Sequence, residues 1–478
     1  MNIASLHRLY PERPLPNTGD THLVIDADLL RRFGGRGPRY TSYPTADRFH
    51  EGCGAESYAR ALSGRSHRPN DPLGLYIHIP FCQTICYYCG CNKIGTKKTE
   101  QALPYLEALV REVDQITSIL GRGQRVSHLH FGGGTPTFMP DELLGRLLAH
   151  LRTRFNFAED GEYSIEVDPR TVDAPRIARL RALGLNRVSL GVQDFDPEVQ
   201  RAVNRIQPYA LTEALIQAAQ DAGFLSVNVD LIYGLPKQTV ETFSETVAGT
   251  VALRPDRIAL YHYAHLPQMF KPQRRIDEQA LPAPAEKARM FERAVRGFEA
   301  AGYHHLGLDH FALEHDELAV AQREGRLHRN FQGYCSHDAG DLIALGVSAI
   351  SSVGGVYAQN DKTLSGWLEA LNQGRLPIVR GIELDADDHV RRAIIGDLMC
   401  NFAVDRGSLE KRFGPAGTGI FDATLPALTE LHEAGVIRLA PDRLTVEPAG
   451  RLLVRAVAMA FDRHLQGNAS IERYSRIA

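Results

Sequence analysis

From residue 75 onward, the chain alternates between two patterns of apolar residues. Short runs rich in β-branched and aromatic residues are typical of buried strands, and longer segments with apolar residues at three- and four-residue steps are typical of helices. Strands separated by helices favour a parallel sheet, because parallel strands need crossover connections. The pattern predicts strands at 75–79, 126–131, 163–167, 187–192, 226–232, 257–263 and, in a less regular run, 305–308.

The clearest predicted helix lies between the first two strands, at 103–120. Its apolar residues fall on one helical face and are Leu103, Leu106, Leu109, Val110, Val113, Ile116 and Leu120. Similar periodicity predicts crossover helices at 141–155, 211–223 and 285–302. The last two end at Gly223 and Gly302, which suit a left-handed C-terminal cap.

Six or seven such units predict an α/β fold with a complete or partial (β/α) barrel. Residues 1–37 lack a clear period, and we expect them to form an N-terminal arm that is partly disordered. The barrel is predicted at 38–366, with the glycine- and proline-punctuated segment GPRYTSYPTA at its start. After residue 366 the pattern becomes rich in helix, which predicts a smaller, mainly helical C-terminal domain at 367–478.

Composition narrows the classes of function. The 478 residues carry a net charge of only -3, so a general nucleic-acid surface is not expected. The N-terminal sequence has no apolar core of a signal peptide, and no run is long enough to span a membrane. We therefore expect a cytoplasmic protein with small-molecule partners. Reducing conditions keep thiols free, so a tight group of cysteines there indicates metal or redox chemistry.

Four of the seven cysteines lie within the ten residues 82–91. Cys82, Cys86 and Cys89 follow the pattern C-x3-C-x2-C directly after the first predicted strand, on the barrel rim where ligands bind. Three thiolates can hold three irons of a four-iron cluster and leave the fourth iron open. A zinc site that also used Cys91 is the alternative. The scattered cysteines, Cys53, Cys335 and Cys400, are expected to be ordinary thiols.

The cysteine loop resembles that of the radical S-adenosylmethionine (SAM) enzymes, in which three cysteines bind a 4Fe-4S cluster. Tyr88, just before the third cysteine, also fits that superfamily. Within it, the run YIHIPFCQTICYYCGCNKI is similar to the oxygen-independent coproporphyrinogen III oxidases. Further motifs of that family recur from about residue 28 to 478, including GPRYTSYPTA, HFGGGTPTF, IEVDPR, GVQDFD, NVDLIYGLPKQT, YAHLP, LDHFA, GVSAIS and ERYSRIA.

The resemblance implies a partial (β/α)6-type TIM barrel and a set of cofactor contacts. Contacts with a first SAM molecule are implied for Tyr76, Gly133, Glu166 and Ile350, and Tyr88 is implied to contact the cofactor without assignment to either molecule. Contacts with a second are implied for Gly134, Thr135, Gln193, Arg205, Asp230 and Ala264. Without the resemblance, the glycines could equally form a tight turn. Glu166 could then be an exposed acid at the end of a strand, and Arg205 could be a solvated arginine on a helix.

The implied activity is decarboxylation of coproporphyrinogen III to protoporphyrinogen IX in heme biosynthesis. A 5′-deoxyadenosyl radical takes a β-hydrogen from each of two propionates, and loss of carbon dioxide and one electron leaves a vinyl group. Cys91 is implied to act in catalysis rather than bind iron. Arg39 is our candidate for binding a substrate carboxylate, whereas His310 is more simply a core histidine.

The partners expected from the resemblance are coproporphyrinogen III, an electron donor such as flavodoxin and an unknown electron acceptor. We expect a monomer, with neither nucleic acid nor membrane as a partner. The main alternative is the related heme-trafficking group, a binding protein that normally lacks the C-x-C cysteine and the segment GPRYTSYPTA. A zinc-stabilised interaction module is the third possibility.

Overall fold

The structure, a computed structural model, describes residues 23–336, 340–465 and 474–477. Residues 1–22 of the predicted N-terminal arm lie outside the described residues, as do residues 472, 473 and 478 of the motif ERYSRIA. Along the described chain, two compact units can be distinguished. One contains residues 49–297 and 340–383, and the other contains 23–48, 298–336, 384–465 and 474–477.

The strands follow in chain order. They are β1 (Leu73–Ile79), β2 (Phe81–Cys82), β3 (Ile94–Gly95), β4 (Gln124–Gly133), β5 (Phe155–Val167), β6 (Arg187–Gln193), β7 (Ser226–Tyr233), β8 (Arg257–His262), β9 (Tyr303–Gly307), β10 (His310–Leu313), β11 (His328–Asn330), β12 (Gly333–Cys335), β13 (Asp341–Leu345), β14 (Ile350–Val353), β15 (Val356–Asn360), β16 (Ile378–Glu383), β17 (Ala403–Asp405), β18 (Ile437–Leu439) and β19 (Arg443–Val446).

The α-helices of the described residues follow in the same way. They are α1 (Ala27–Phe33), α2 (Ala55–Arg65), α3 (Ala102–Leu120), α4 (Asp141–Arg154), α5 (Ala174–Ala182), α6 (Pro197–Ala202), α7 (Tyr209–Asp221), α8 (Val240–Leu253), α9 (Pro284–Ala300), α10 (Glu317–Arg323), α11 (Leu364–Asn372), α12 (Ala386–Asn401), α13 (Arg406–Phe413), α14 (Pro415–Thr424), α15 (Thr429–Glu433) and α16 (Val454–Met459).

The larger unit is built on six parallel strands. Strands β1, β4, β5, β6, β7 and β8 lie side by side in this order, and helices α3 to α8 connect them. Beyond β1 the sheet continues with β13, which is parallel to β1, and then with the antiparallel strands β14, β15 and β16. The prediction of a partial (β/α)6 barrel is therefore confirmed.

The pattern of apolar residues predicted the barrel strands but not all of their limits. Strand β5 begins at Phe155 rather than at residue 163. Its register with β4 shifts between Val126 and His128, and the exposed Glu159 and Asp160 interrupt the apolar pattern there. In α3, Leu106, Leu109 and Val113 are buried as the periodicity indicates. The predicted apolar face of this helix was too wide, because Leu103 is exposed.

Strands β13 to β16 were not predicted. The stretch between Val353 and Val356 holds a signal that could have revealed two of them. These valines pair across a turn formed by Gly354 and Gly355, which both have positive φ. Two consecutive glycines between apolar runs are typical of a two-residue β-hairpin.

The smaller unit has its own apolar core. Helix α12 contributes Ile394 and Leu398, which pack with Leu444 of β19 and Phe461. The five helices α12 to α16 agree with the helix-rich pattern after residue 366, and the three-stranded sheet β17, β19 and β18 was not predicted. No helix in the described ranges combines the length and the apolar character needed to cross a bilayer.

Candidate active site

The carboxyl ends of the parallel strands surround a cavity in the larger unit. Ligands of (β/α) barrels bind at this end, because the loops after the strands project there. Twelve of the residues singled out in the sequence line the cavity, namely Cys82, Cys86, Tyr88, Cys89, Cys91, Gly133, Gly134, Thr135, Glu166, Gln193, Arg205 and Asp230.

The cysteine loop begins where the short strand β2 ends, at Cys82. Strand β2 pairs with β3 in parallel, and the N–H of Thr96 donates to the Cys82 carbonyl at 2.9 Å, so both ends of the loop are fixed. The hydroxyl of Thr135 donates to Cys82 Sγ at 3.5 Å. Burial raises the pKa of Cys82 to about 11, which disfavours a bare thiolate here. A bound metal would remove this penalty by supplying positive charge.

Two guanidinium groups lie against Cys86. Arg170 Nη2 is 3.4 Å and Arg205 Nη1 is 3.5 Å from Cys86 Sγ. Asp168 accepts hydrogen bonds from Nε and Nη2 of Arg170 and from both terminal nitrogens of Arg205. Burial alone would raise the pKa of Asp168, but the two arginines lower it below its usual range. The two cations therefore flank both the carboxylate and the Cys86 sulfur.

The Cys91 side chain and Lys93 lie near the Cys89 thiol. Together they lower the pKa of Cys89, although burial acts in the opposite direction. Lys93 Nζ donates to the carbonyls of Cys89 and Cys91, at 2.8 and 3.3 Å. Cys91 is exposed where it lines the cavity.

Glycines at the end of β4 allow the backbone to approach the cavity closely. Gly133 has φ +115°, and a Cβ there would lie 2.7 Å from the His78 ring. A Cβ at Gly134 would lie 2.6 Å from the Pro80 carbonyl oxygen. Side chains at these positions would collide with the strand that leads to the cysteines, so glycine is required for packing as well as for access.

Glu166, near the end of β5, is held by two hydrogen bonds. Its Oε2 accepts from the Gly133 N–H at 3.1 Å, and its Oε1 lies 3.2 Å from His130 Nε2. Burial would raise the pKa of Glu166, but these contacts outweigh burial and lower it. The ring of His130 also stacks on the ring of Tyr76, with ring centroids 5.8 Å apart. Tyr76 thus lies next to Glu166 although it does not line the cavity.

The far wall of the cavity is formed by β6 and β7. Asp230 accepts hydrogen bonds from Ser189 at 3.2 Å and from Asn228 at 2.8 Å. Burial raises the pKa of Asp230 to about 6, and the charge of Glu166 adds to this. Gln193 ends β6 with φ +72°, a conformation that L-residues seldom adopt, and its side chain lies near Gly191.

Ala264 and Tyr88 are linked through a residue that sequence reasoning missed. The buried Gln273 donates from Nε2 to the carbonyls of Tyr88 and Ala264, at 2.9 and 3.2 Å. Ile350 is half-buried and begins β14, where it pairs with Gln359. Neither Ala264 nor Ile350 lines the cavity in the described structure.

Arg39 belongs to the smaller unit. It forms an ion pair with the buried carboxylate of Asp309, which lies next to His310. The opposing charge of Arg39 lowers the pKa of Asp309 against the effect of burial. His310 is half-buried and packs edge-on against the Tyr334 ring, with centroids 5.1 Å apart.

The donor set fits an iron–sulfur cluster better than the zinc alternative. Zinc requires its ligands to converge on one ion at about 2.3 Å for sulfur. Within the described ranges, no three His, Cys, Asp or Glu side chains are drawn together in that way. The three thiols line one cavity, and a four-iron cluster takes thiolates at separate corners.

Comparisons with known proteins identify the family. The radical SAM superfamily model matches residues 76–248, and the HemN C-terminal domain model matches 384–453. The chain is 48% identical to the oxygen-independent coproporphyrinogen III oxidase of Pseudomonas aeruginosa, over 95% of this chain and 98% of that one. This chain belongs to the oxygen-independent coproporphyrinogen III oxidase family.

Two further matches come from Escherichia coli. The oxygen-independent coproporphyrinogen III oxidase of that organism is 44% identical, over 95% of this chain and 98% of that one. The solved structure of its coproporphyrinogen III oxidase superposes with a TM-score of 0.87 and 42% identity, covering 93% of this chain and all of that one. The chain is therefore an oxidoreductase of the radical SAM superfamily.

Sequence reasoning missed several residues of this family member that shape the site. They include His130, Arg170, Lys93 and Gln273, whose contacts are described above. Arg170 stands in the motif IEVDPR and His130 in HFGGGTPTF. Their positions in the same motifs as Glu166, Asp168 and the glycines could have identified them as site residues. The remaining cysteines, Cys53, Cys335 and Cys400, are buried.

Proposed function

We propose that this chain catalyses the oxygen-independent conversion of coproporphyrinogen III to protoporphyrinogen IX. One observation carries the proposal: three thiols, the glycine turn and Glu166 line a single cavity at the carboxyl ends of the barrel strands. The family relationship supplies the substrate, because the relatives named above are coproporphyrinogen III oxidases. Conversion of this substrate is a step of heme biosynthesis.

Cys82, Cys86 and Cys89 would hold a 4Fe-4S cluster. When bound, the cluster and SAM supply one-electron cleavage of a carbon–sulfur bond and thereby a radical able to abstract hydrogen. The chain contributes the cavity that excludes water from this chemistry and the groups that orient the nucleotide. Glu166 keeps its charge through His130 and Gly133, so it can accept hydrogen bonds from ribose hydroxyls.

Two SAM molecules are part of the proposal. We assign Tyr76, Gly133, Glu166 and Ile350 to the first, Gly134, Thr135, Gln193, Arg205, Asp230 and Ala264 to the second, and Tyr88 to the cofactor site without choosing between the two. Among the described residues, the buried Nε of Arg205 has no hydrogen-bond partner, which leaves a donor for a ligand carboxylate. The family often has another aromatic residue at the position of Tyr88, so the ring hydroxyl is a small difference. The assignment of Tyr88 to the cofactor site does not depend on this hydroxyl.

We propose catalytic roles for Cys91 and Arg39. Cys91 is exposed where it lines the cavity, and its side chain lies near Cys89. Its thiol can therefore act in the cavity without binding iron. Arg39 carries a guanidinium group suited to a propionate of the substrate. Asp309 orients this group through their ion pair.

The reaction also needs partners for electrons. Each vinyl group formed releases one carbon dioxide and one electron, beyond the hydrogen atom that the radical removes, so an electron acceptor is required. A one-electron donor such as flavodoxin would reduce the cluster. We propose that the chain works in the cytoplasm, since reducing conditions there preserve the thiols of the cysteine loop. We also propose that it works as a monomer.

An anaerobic assay tests the proposal. The reconstituted protein is given coproporphyrinogen III, SAM and dithionite, and divinyl product and 5′-deoxyadenosine are followed together. We expect both products to increase in proportion. Heme binding without formation of divinyl product would favour the heme-trafficking alternative instead.

A further inference from the structure

Two arginines converge on a single cysteine of the cavity. Arg170 Nη2 lies 3.4 Å and Arg205 Nη1 lies 3.5 Å from Cys86 Sγ. Neither Cys82 nor Cys89 has an arginine at hydrogen-bond distance among the bonds of the described residues. Among the three predicted ligand sulfurs, arginine therefore approaches that of Cys86 in the described residues, whereas Lys93 lies near Cys89.

The position of Arg170 is fixed by its neighbours. It forms a two-point ion pair with Asp168, with Nε to Oδ1 at 2.9 Å and Nη2 to Oδ2 at 2.6 Å. Its side chain is only 15% exposed, and its Nη1 donates to the Asn204 carbonyl at 3.4 Å. The same Nη2 that bonds Asp168 also faces Cys86. Because a planar guanidinium cannot turn independently of its ion pair, Asp168 sets the direction of the Arg170 N–H toward the sulfur.

The net charge of this group is positive. Arg170 and Arg205 contribute two positive charges, and Asp168 neutralises one of them. Arg205 is buried and the Asp168 side chain is only 12% exposed, so solvent screens their charges little. A cluster becomes more negative when it is reduced, and hydrogen bonds to its sulfurs favour the reduced state. Cations beside a thiolate ligand act in the same direction.

We propose that Arg170, oriented by Asp168, raises the reduction potential of the cluster through its contact with Cys86. The inference rests on the proposed function, because it takes Cys86 as a cluster ligand. Arg170 is a tuning residue that acts through the sulfur and need not touch SAM or substrate. It makes the first electron easier to deliver, and this electron is required for every turnover.

The measurement is the midpoint potential of the cluster, titrated without SAM and followed by the electron paramagnetic resonance signal of the reduced state. In Arg170→Gln we expect the potential to fall, with the reduction equilibrium changed about tenfold, which corresponds to 59 mV for one electron. In Asp168→Asn the amide oxygen can still accept from Arg170 Nε and hold the guanidinium, so we expect the potential to rise, because two cations remain without their carboxylate. Opposite shifts of these two variants would not follow from a merely structural role.

Arg176→Gln is the matched control. Arg176 is as buried as Arg170, with 16% of its side chain exposed, and is also paired with an aspartate, Asp141. It contacts no cysteine in the described residues. Its removal should leave the potential of the cluster unchanged. Iron and sulfide content is measured for every variant to show that the cluster is complete.

Several results would overturn the inference. The potential of Arg170→Gln could equal that of the parent, or Arg170→Gln and Asp168→Asn could shift in the same direction. If Arg170→Gln fails to hold a cluster, Arg170→Lys is measured instead: a cluster near the parent potential supports a role of the charge, and no cluster refutes it. A parent protein without any cluster would contradict the proposed function itself, and this inference with it.

Discussion

The backbone N–H of Gly133 donates a hydrogen bond to the carboxylate of Glu166, with 3.1 Å between N and Oε2. The bond joins the ends of β4 and β5, two neighbouring strands of the barrel. Gly133 has a positive φ at this point, a conformation that glycine adopts readily. Glu166 is thereby held at the edge of the cavity with its charge preserved.

We predict that Glu166→Gln weakens SAM binding about tenfold or more, because the amide loses the charge and one acceptor. Equilibrium binding of SAM to the reconstituted protein measures the effect. Glu159→Gln is the control, since Glu159 lies on the same strand but is exposed. Unchanged affinity in Glu166→Gln would remove Glu166 from the cofactor site.

Cys91→Ser should retain about four irons and four sulfides per chain. Serine replaces the Cys91 thiol with a hydroxyl of similar size, so the loop should keep its structure. We expect formation of the divinyl product to fall sharply. Iron and sulfide analysis of the anaerobically prepared variant provides the measurement. Loss of the cluster from a folded Cys91→Ser protein would show that three cysteines are not the whole ligand set.

Arg39→Ala should slow substrate turnover while cleavage of SAM without substrate continues. The change removes a cation from Asp309 and leaves the cysteine loop untouched. The ratio of divinyl product to 5′-deoxyadenosine reports the effect. Arg31→Ala, at an exposed position of α1, serves as the control. Equal turnover of Arg39→Ala and the parent would exclude Arg39 from substrate binding.

A buried acid in α3 gives a pH prediction. Glu112 accepts hydrogen bonds from Gly346 at 2.8 Å, Asn360 at 2.6 Å and Trp367 at 3.2 Å. Burial raises its pKa from 4.5 to about 7, although the three donors oppose the shift. An acid whose pKa is raised in the folded state contributes stability that is fully present below pH 4.5. This contribution is lost as the pH rises through 7. The shift is equivalent to about 3 kcal/mol at most.

The parent protein should therefore lose more stability between pH 5 and pH 8 than Glu112→Gln does. Urea unfolding at both values, followed by tryptophan fluorescence, measures this directly, because Trp367 is the single tryptophan of the chain and contacts Glu112. Glu107→Gln, exposed on the same helix, should behave like the parent. An identical pH dependence in Glu112→Gln would contradict the assignment.

The parts of the site that the sequence predicted are local in the chain. Cys82, Cys86 and Cys89 lie within eight residues, so their spacing alone defines a loop that can hold a cluster. The alternating apolar pattern predicted the barrel for a similar reason, since each strand and helix carries its own periodicity.

Contacts between distant residues could not be predicted in this way. Arg170 and Cys86 are 84 positions apart, and only the pairing of parallel strands brings them together. Gln273 is 185 positions from Tyr88 and lies in a segment without periodicity. Strands β13 to β16 are short. The glycine-rich turns between them resemble loops unless the hairpin signal is recognised.

The central claim is that three cysteines hold a cluster whose fourth iron binds SAM. The most direct test is electron paramagnetic resonance of the reduced, anaerobically reconstituted protein, recorded before and after addition of SAM. We predict the signal of a reduced 4Fe-4S cluster that changes clearly when SAM is added. The absence of such a signal, or a signal that SAM leaves unchanged, would contradict the claim.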